Sequence, residues 1–186
     1  MVAPSRDPFD KQIQNRNYLS NVGFNFTLAR FPKVDFFSNT ANLPGLTLGT
    51  VNAPNYLKEL PLAGDRLVFE DFSLQFIVDE ALENYLAIHN WMRGLGFPNS
   101  IEDFIDLVTD EDNVIDMNQQ YSDGTLLVLN NQFNNIARVK FNGLFPYSLS
   151  GLQFDATNTD YQALTATVTF KYTIYNIETV SRTRTT

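Results

Sequence analysis

Cysteine is missing from the 186 residues and histidine occurs once, at His89. Disulfide staples and cysteine nucleophiles are thereby excluded, and a structural zinc site lacks its usual ligands. A cysteine-free chain also suits a reducing compartment. No apolar run approaches the roughly 18 residues of a membrane-crossing helix, so no membrane span is expected. The opening MVAPSRDPFDKQIQNRN is polar and has no apolar leader core, so no secretory signal is expected. Basic residues are scarce: 13 Lys and Arg stand against 21 Asp and Glu, for a net charge of −8. Between Asp79 and Asp116, ten acidic side chains face a single base, Arg93. Such a segment repels phosphate, which argues against sequence-specific nucleic-acid binding. It reads as a solvated acidic face, as a docking surface for a basic partner, or as a surface that DNA passes without sticking.

What the chain does have is β-forming residues in alternation. Phe24, Phe26 and Leu28 continue a face begun at Val22, with polar or small residues between them. Phe72, Leu74, Phe76 and Val78 form a second face, and Leu164, Ala166, Val168, Phe170, Tyr172 and Ile174 a third. The third is opposed by Thr165, Thr167, Thr169, Lys171 and Thr173. Period two marks half-buried strands, and Ala137–Phe141 and Thr125–Leu129 add two shorter candidates. Leu46–Val51 and Tyr56–Leu62 read as a long hairpin bracketed by Pro44-Gly45, Ala53-Pro54-Asn55 and Ala63-Gly64-Asp65, the last taken as a turn into the next strand. Asp123-Gly124 is a further turn signal. One helix is expected over about residues 80–94, capped by Asp79, with Ala81, Tyr85, Ile88, Met92 and Leu95 on one stripe and Gly94, Gly96 and Pro98 ending it. A short helix capped by Ser100 is expected after it. At this length one domain burying roughly 70% of its unfolded surface is expected. The organisation expected is a flexible arm at 1–17, a β domain at 18–178 with an acidic insertion at about 99–121, and a tail at 179–186.

Chemistry-bearing patterns are weak. His89 has no G-x-S-x-G nucleophile sequence to serve and reads as structural or exposed. Asp110-Glu111-Asp112-Asn113 resembles the start of a calcium loop, but that loop needs an oxygen ligand, Gly and Glu where Val114, Ile115 and Tyr121 stand. Gly94-Leu95-Gly96 follows a helix instead of preceding one, so it is no phosphate cradle. No catalytic residue, metal or cofactor is expected. Carboxylate pairs for glycoside hydrolysis are easy to draw from 21 acids and carry little weight. The apolar hairpin residues Leu46, Leu48, Val51, Leu57 and Leu60 exceed what a solvated hairpin carries. They either meet a neighbouring subunit or fold back on the core. Phe36-Phe37 faces two ways from one strand, so one ring needs a second surface such as a subunit boundary. Asp65 and Arg66 pair either across such a boundary or locally.

An ordered set of strings carries a family resemblance. Asn42-Leu43-Pro44-Gly45 precedes the hairpin, and Pro61-Leu62-Ala63-Gly64-Asp65-Arg66 and Phe69-Glu70-Asp71-Phe72-Ser73-Leu74 follow. Asp79-Glu80-Ala81 opens a helix containing Trp91, and Phe141-Asn142-Gly143-Leu144-Phe145-Pro146 and Ser150-Gly151-Leu152-Gln153-Phe154-Asp155 lead to the last strand. Over about residues 20–177 this resembles the tail tube proteins of contractile-tailed bacteriophages, a group related to baseplate tube initiators and type VI secretion tube proteins. The resemblance implies a mainly β, antiparallel sandwich or barrel-like protomer with one flanking helix and a long hairpin, forming hexameric rings. It implies a structural, non-enzymatic subunit of the virion tail, assembled in the host cytoplasm, whose stacked rings make a rigid channel for DNA delivery on sheath contraction. The partners implied are other copies of the chain, tail sheath and baseplate proteins, and DNA that passes without specific binding. On this expectation the hairpin joins rings, and Thr165, Thr167 and Thr169 or part of the acidic surplus line the lumen. Two alternatives stand beside it: a baseplate protein that initiates the tube and, remotely, a small β-sandwich carbohydrate-active enzyme.

Overall fold

A computed structural model describes residues 18–19, 21, 23–31, 38–96, 100–109, 116–155 and 163–179. Among them are nine strands: β1 (Phe24–Leu28), β2 (Ser38–Ala41), β3 (Leu46–Ala53), β4 (Leu60–Phe69), β5 (Phe72–Ile77), β6 (Ser122–Leu129), β7 (Asn135–Leu149), β8 (Thr165–Lys171) and β9 (Ile174–Thr179). Two α-helices, α1 (Glu83–Gly96) and α2 (Glu102–Val108), and a 3₁₀ turn at Met117–Gln120 lie between β5 and β6. All the pairings are antiparallel. The fold is mainly β, and its sheets do not close into a barrel within the subunit.

The alternating faces meet in one core. Phe26 and Leu28 of β1, Phe72, Leu74 and Phe76 of β5, Val139 and Phe141 of β7, and Ala166, Val168 and Phe170 of β8 are all buried. Because side chains alternate strictly, burying one face fixes the register of each strand. The organising element is β7. Its N-terminal half lies between β6 and β9, and its C-terminal half pairs with β8. One four-stranded layer is therefore β1-β6-β7-β9 and the other is β7-β8-β5-β2. The long alternation from Leu164 to Ile174 is two strands instead of one. β8 and β9 run along the same strand β7, with a break at Tyr172–Thr173 opposite Gly143.

Gly143 makes that break possible. Its φ is +63°, and a Cβ there would lie 2.7 Å from Thr173 Oγ1. A side chain meets a left-handed backbone and a clash together. Gly143→Ala is expected to cost about 1–3 kcal/mol, read as a lowered urea midpoint at unchanged slope. An unchanged midpoint would show that the kink tolerates a Cβ.

Three local expectations are corrected. The helix starts at Glu83: Asp79 Oδ1 accepts from the Ala81 N–H at 2.9 Å in a preceding turn, and Leu82, at φ 60°, interrupts the helical path. The helix buries Asn84, Ile88, Trp91 and Gly94; Tyr85, Met92 and Leu95 of the expected stripe pack half-buried against the same core, and its Ala81 lies outside the helix. Ser100 does not cap α2; Ile101 occupies that position without a side-chain cap bond. Ala63-Gly64-Asp65-Arg66 is not a turn. It lies inside β4, where Leu48 pairs with Leu67 but Thr50 pairs with Ala63, leaving Gly49 against three residues of β4. Gly64 is needed there for close approach, since a Cβ would sit 2.7 Å from the Gly49 carbonyl oxygen. The chain leaves the hairpin six residues later, at Glu70–Asp71.

Candidate assembly interface

Among the described residues β3 and β4 pair only with each other, as a two-stranded ribbon apart from the seven-stranded sheet. The ribbon does not fold back on the core. Leu46, Leu48, Val51, Leu57, Leu60, Leu62, Leu67 and Val68 are all exposed, Leu57 at the tip by 91%. An isolated hairpin is marginal in water, and its exposed apolar residues lie on both faces: Leu46, Leu48 and Leu67 share one, and Val68, paired with Thr47, takes the other. Leu67 and Val68 lie beyond the expected strand end at Leu62, past the bulge, and Leu62 closes that strand without having been singled out.

The root of the ribbon is fastened. The Glu70 N–H donates to the Gly45 carbonyl at 3.1 Å, and the Gly45 N–H donates back to Glu70 Oε2 at 3.3 Å. Asn42 bonds on both sides to the start of β5: its Nδ2 donates to the Asp71 carbonyl and its Oδ1 accepts from the Ser73 N–H. Tyr172 and Tyr175 donate their hydroxyls to the carbonyls of Glu70 and Pro44, at 2.7 and 3.0 Å. Their rings and Phe69 pack edge to face, with centroids 5.8–6.1 Å apart. Asn42-Leu43-Pro44-Gly45 is thus one leg of a latch that holds a free arm at a fixed angle. Outside it, Asp71 accepts from Tyr147 at 2.8 Å and from Lys171 at 3.1 Å. Those bonds, the Tyr147 bond foremost, hold the Asp71 carboxyl below its usual range.

Burial pushes the Tyr172 phenol up to about 12, with smaller contributions from Tyr175, Asp71 and Glu70. An ordinary phenol titrates near 10. The unfolded chain therefore releases this proton first, and the stabilisation from neutral Tyr172 is complete below about pH 10 and lost as pH rises toward 12. Tyr172→Phe is expected to lower stability by about 1 kcal/mol at neutral pH and to flatten part of the alkaline decline. Urea midpoints of both proteins between pH 9 and 12, on the order of the phenol range, check this; parallel declines would remove Tyr172 from the account.

The remaining singled-out residues do not gather into one site. Asp65 and Arg66 are exposed in β4 at the bulge, and they are not among the ion pairs of the described residues. Phe36 and Phe37, like Asp110-Glu111-Asp112-Asn113, lie outside the described residues. Thr165, Thr167 and Thr169 point outward from β8, away from the core. His89 is exposed on α1. No group of three His, Asp or Glu among the described residues can hold a metal. A cleft of about 440 Å³ between α1 and α2 is lined by Arg30, Trp91, Arg93, Asp103 and Asp106 among others. Arg30 there is engaged structurally: it donates to the carbonyls of Gln119 and Leu107 and lies 5.7 and 5.8 Å from the ring centres of Phe31 and Trp91.

Known proteins match along most of this chain. A family model described as phage tail tube protein matches residues 8–178. The tail tube terminator protein of Enterobacteria phage T4 is 23% identical over 171 residues, covering 90% of this chain and 89% of that protein. Among solved structures, the tube-terminating cap of the anti-feeding prophage superposes with a TM-score of 0.62 at 15% identity, covering 96% of this chain and 100% of that one. A chain of the anti-feeding prophage baseplate gives 0.60 at 16% identity, covering 88% and 97%. At these identities the two structures establish a shared fold.

Proposed function

We propose a structural, non-catalytic role in ring and tube assembly for this chain, which belongs to the phage tail tube protein family. Copies close into a hexameric ring, and rings stack coaxially through the β3–β4 arm into a channel for DNA delivery when the sheath contracts. The observation that carries this is the latched arm with eight exposed Leu and Val side chains, a surface without a strand partner among the described residues. Among the described residues β1, β2 and β9 each pair on one side only, which supports ring closure, since unpaired strand edges invite pairing and closure removes them. Head-to-tail stacking is heterologous: the arm of one ring meets a different surface on the next. Sheath and baseplate proteins are the outer partners in this reading, the virion tail is its location and the host cytoplasm the place of assembly.

A second reading is favoured by one observation. The T4 relative matched nearly end to end is a tube terminator. In that reading the same ring closes the end of a tube and does not repeat along it. Negative-stain microscopy of the purified protein, alone and mixed with preformed tubes, separates the two. Long tubes identify the repeating subunit. Isolated rings that cap added tubes identify the terminator, and isolated rings that seed tube growth identify an initiator. A protein that stays monomeric at high concentration would sink the assembly reading.

A further inference from the structure

Resting on the assembly reading, we propose a head-to-tail contact between copies of this chain: Phe133 of one copy seats in the cleft between α1 and α2 of the next. Phe133 is a strained aromatic residue held out in solvent. Its φ is 58°, and it stands 70% exposed in the loop 130–134 between β6 and β7. A bulky side chain in the left-handed region is an outlier, and such hairpin positions usually go to glycine or asparagine. The loop is built to keep the ring there. Asn130 Oδ1 accepts from the N–H groups of Gln132 and Asn134 at 2.9 and 3.0 Å. The Phe133 N–H donates to the Asn130 carbonyl, and the Asn130 N–H to the Asn134 carbonyl, both at 2.9 Å. A ring so exposed contributes little burial to its own subunit, so the strain is offset only where another surface covers it.

The same chain carries a cleft of matching chemistry. Within the cleft of about 440 Å³ between α1 and α2, the buried and half-buried lining includes Phe31, Ala87, Trp91, Gly94 and Leu107, while Asn90, Arg93 and Asp106 are exposed at its mouth. Aromatic and aliphatic walls suit a phenyl ring, and a polar rim around an apolar centre is the usual anatomy of a protein interface. The amides of Asn131, Gln132 and Asn134 flank the ring and match that rim, donating to a carboxylate and accepting from a guanidinium. The loop carries no cation, so a nucleic acid gains nothing from it. Loop and cleft lie at opposite ends of β1: Phe24 pairs with Val128, just before the loop, and Arg30, two residues past the other end, lines the cleft. Roughly 20 Å of extended chain separates them. A subunit therefore does not fill its own cleft with its own loop. Two different surfaces meeting from copy to copy make a heterologous contact, the kind that closes rings or extends stacks.

The absence of native cysteine makes the contact testable by cross-linking. Gln132→Cys places a single thiol beside the ring and leaves Phe133 in place. Asn90→Cys places one at the mouth of the cleft, with Asp106→Cys as a second mouth position should Asn90→Cys fold poorly. The two single variants are mixed, assembled and oxidised. The expected result is a covalent dimer from the mixture and none from either variant alone, lost when Phe133→Asn is added to Gln132→Cys. Phe133→Asn by itself suits the left-handed backbone. Its urea midpoint should equal or exceed that of the unsubstituted protein, while the concentration needed for half-assembly rises about tenfold or more. A ring that served only its own subunit would instead lower the midpoint on removal. Normal assembly of Phe133→Asn, a lowered midpoint, no cross-link at either mouth position in assembled protein, or a dimer from Gln132→Cys alone would overturn the contact and leave the assembly reading standing. An unsubstituted protein that stays monomeric at high concentration would overturn that reading, and this contact with it.

Discussion

Leu48→Asp combined with Leu57→Asp is expected to leave a folded subunit that no longer stacks. Both side chains are exposed, and surface substitutions of this kind change stability by about 0.5 kcal/mol or less. Stacking is a different matter. Each substitution removes about 1.5–3 kcal/mol of apolar burial gained at an interface. Each also asks an interface to take in an unpaired carboxylate, at several kcal/mol more. The ionised group must stay in water, so the arm is held off its partner surface. Because a ring would present several arms at once, the loss is multiplied across the contact, and stacks or tubes are expected to disappear. Far-UV circular dichroism and the urea midpoint should match the unsubstituted protein, while microscopy shows single rings or subunits. Lys58→Asp, a charge change at a polar residue beside Leu57, controls for charge alone and is expected to stack. Tubes or ring stacks of normal length from the double variant would remove the arm from the interface.

The core was legible because burial and alternation are the same signal. Phe72, Leu74 and Phe76, and Ala166, Val168 and Phe170, could be placed inward from the letters alone, since one face of each strand must leave water. The arm was legible for a related reason: Leu46, Leu48, Val51, Leu57 and Leu60 outnumber what a solvated hairpin holds, and all five stand exposed. The Gly64-Asp65-Arg66 stretch was misread because a glycine needed for close approach looks, in sequence, like a glycine needed for a turn. Only the pairing partner distinguishes them, and Gly49 lies 15 positions away in the chain. The latch was invisible for the same reason. Tyr172 read as a further member of an alternating strand and Tyr175 carried no signal, whereas their hydroxyls reach carbonyls 102 and 131 positions earlier. Asn84 was likewise passed over: its buried amide donates to the Ile77 carbonyl at 2.9 Å and so ties the start of α1 to the end of β5.

Phe72→Ala should separate the stability of the subunit from its assembly by acting in the opposite order to the arm variant. Phe72 is fully buried, and its ring centre lies 5.0 Å from Phe26, 4.7 Å from Phe141 and 6.0 Å from Phe170. Those partners come from β1 and β7 of one layer and β8 of the other, so Phe72 is where the layers are joined. It also follows Asp71 directly, so its position fixes the strand on which the latch is anchored. Truncation leaves a cavity that three large rings cannot fill without moving their strands, and a cost of about 3–5 kcal/mol is expected. Against the roughly 5–15 kcal/mol that holds a typical domain, the loss would shift the urea midpoint strongly and leave a measurable unfolded fraction. Phe72→Leu, which refills much of the space, should cost far less, about 1–1.5 kcal/mol. Assembly should fail in Phe72→Ala only as far as folding fails, and should recover at low temperature or high protein concentration, because assembly draws on the folded state alone. A midpoint shift worth less than about 1 kcal/mol would mean that the aromatic cluster does not join the two layers.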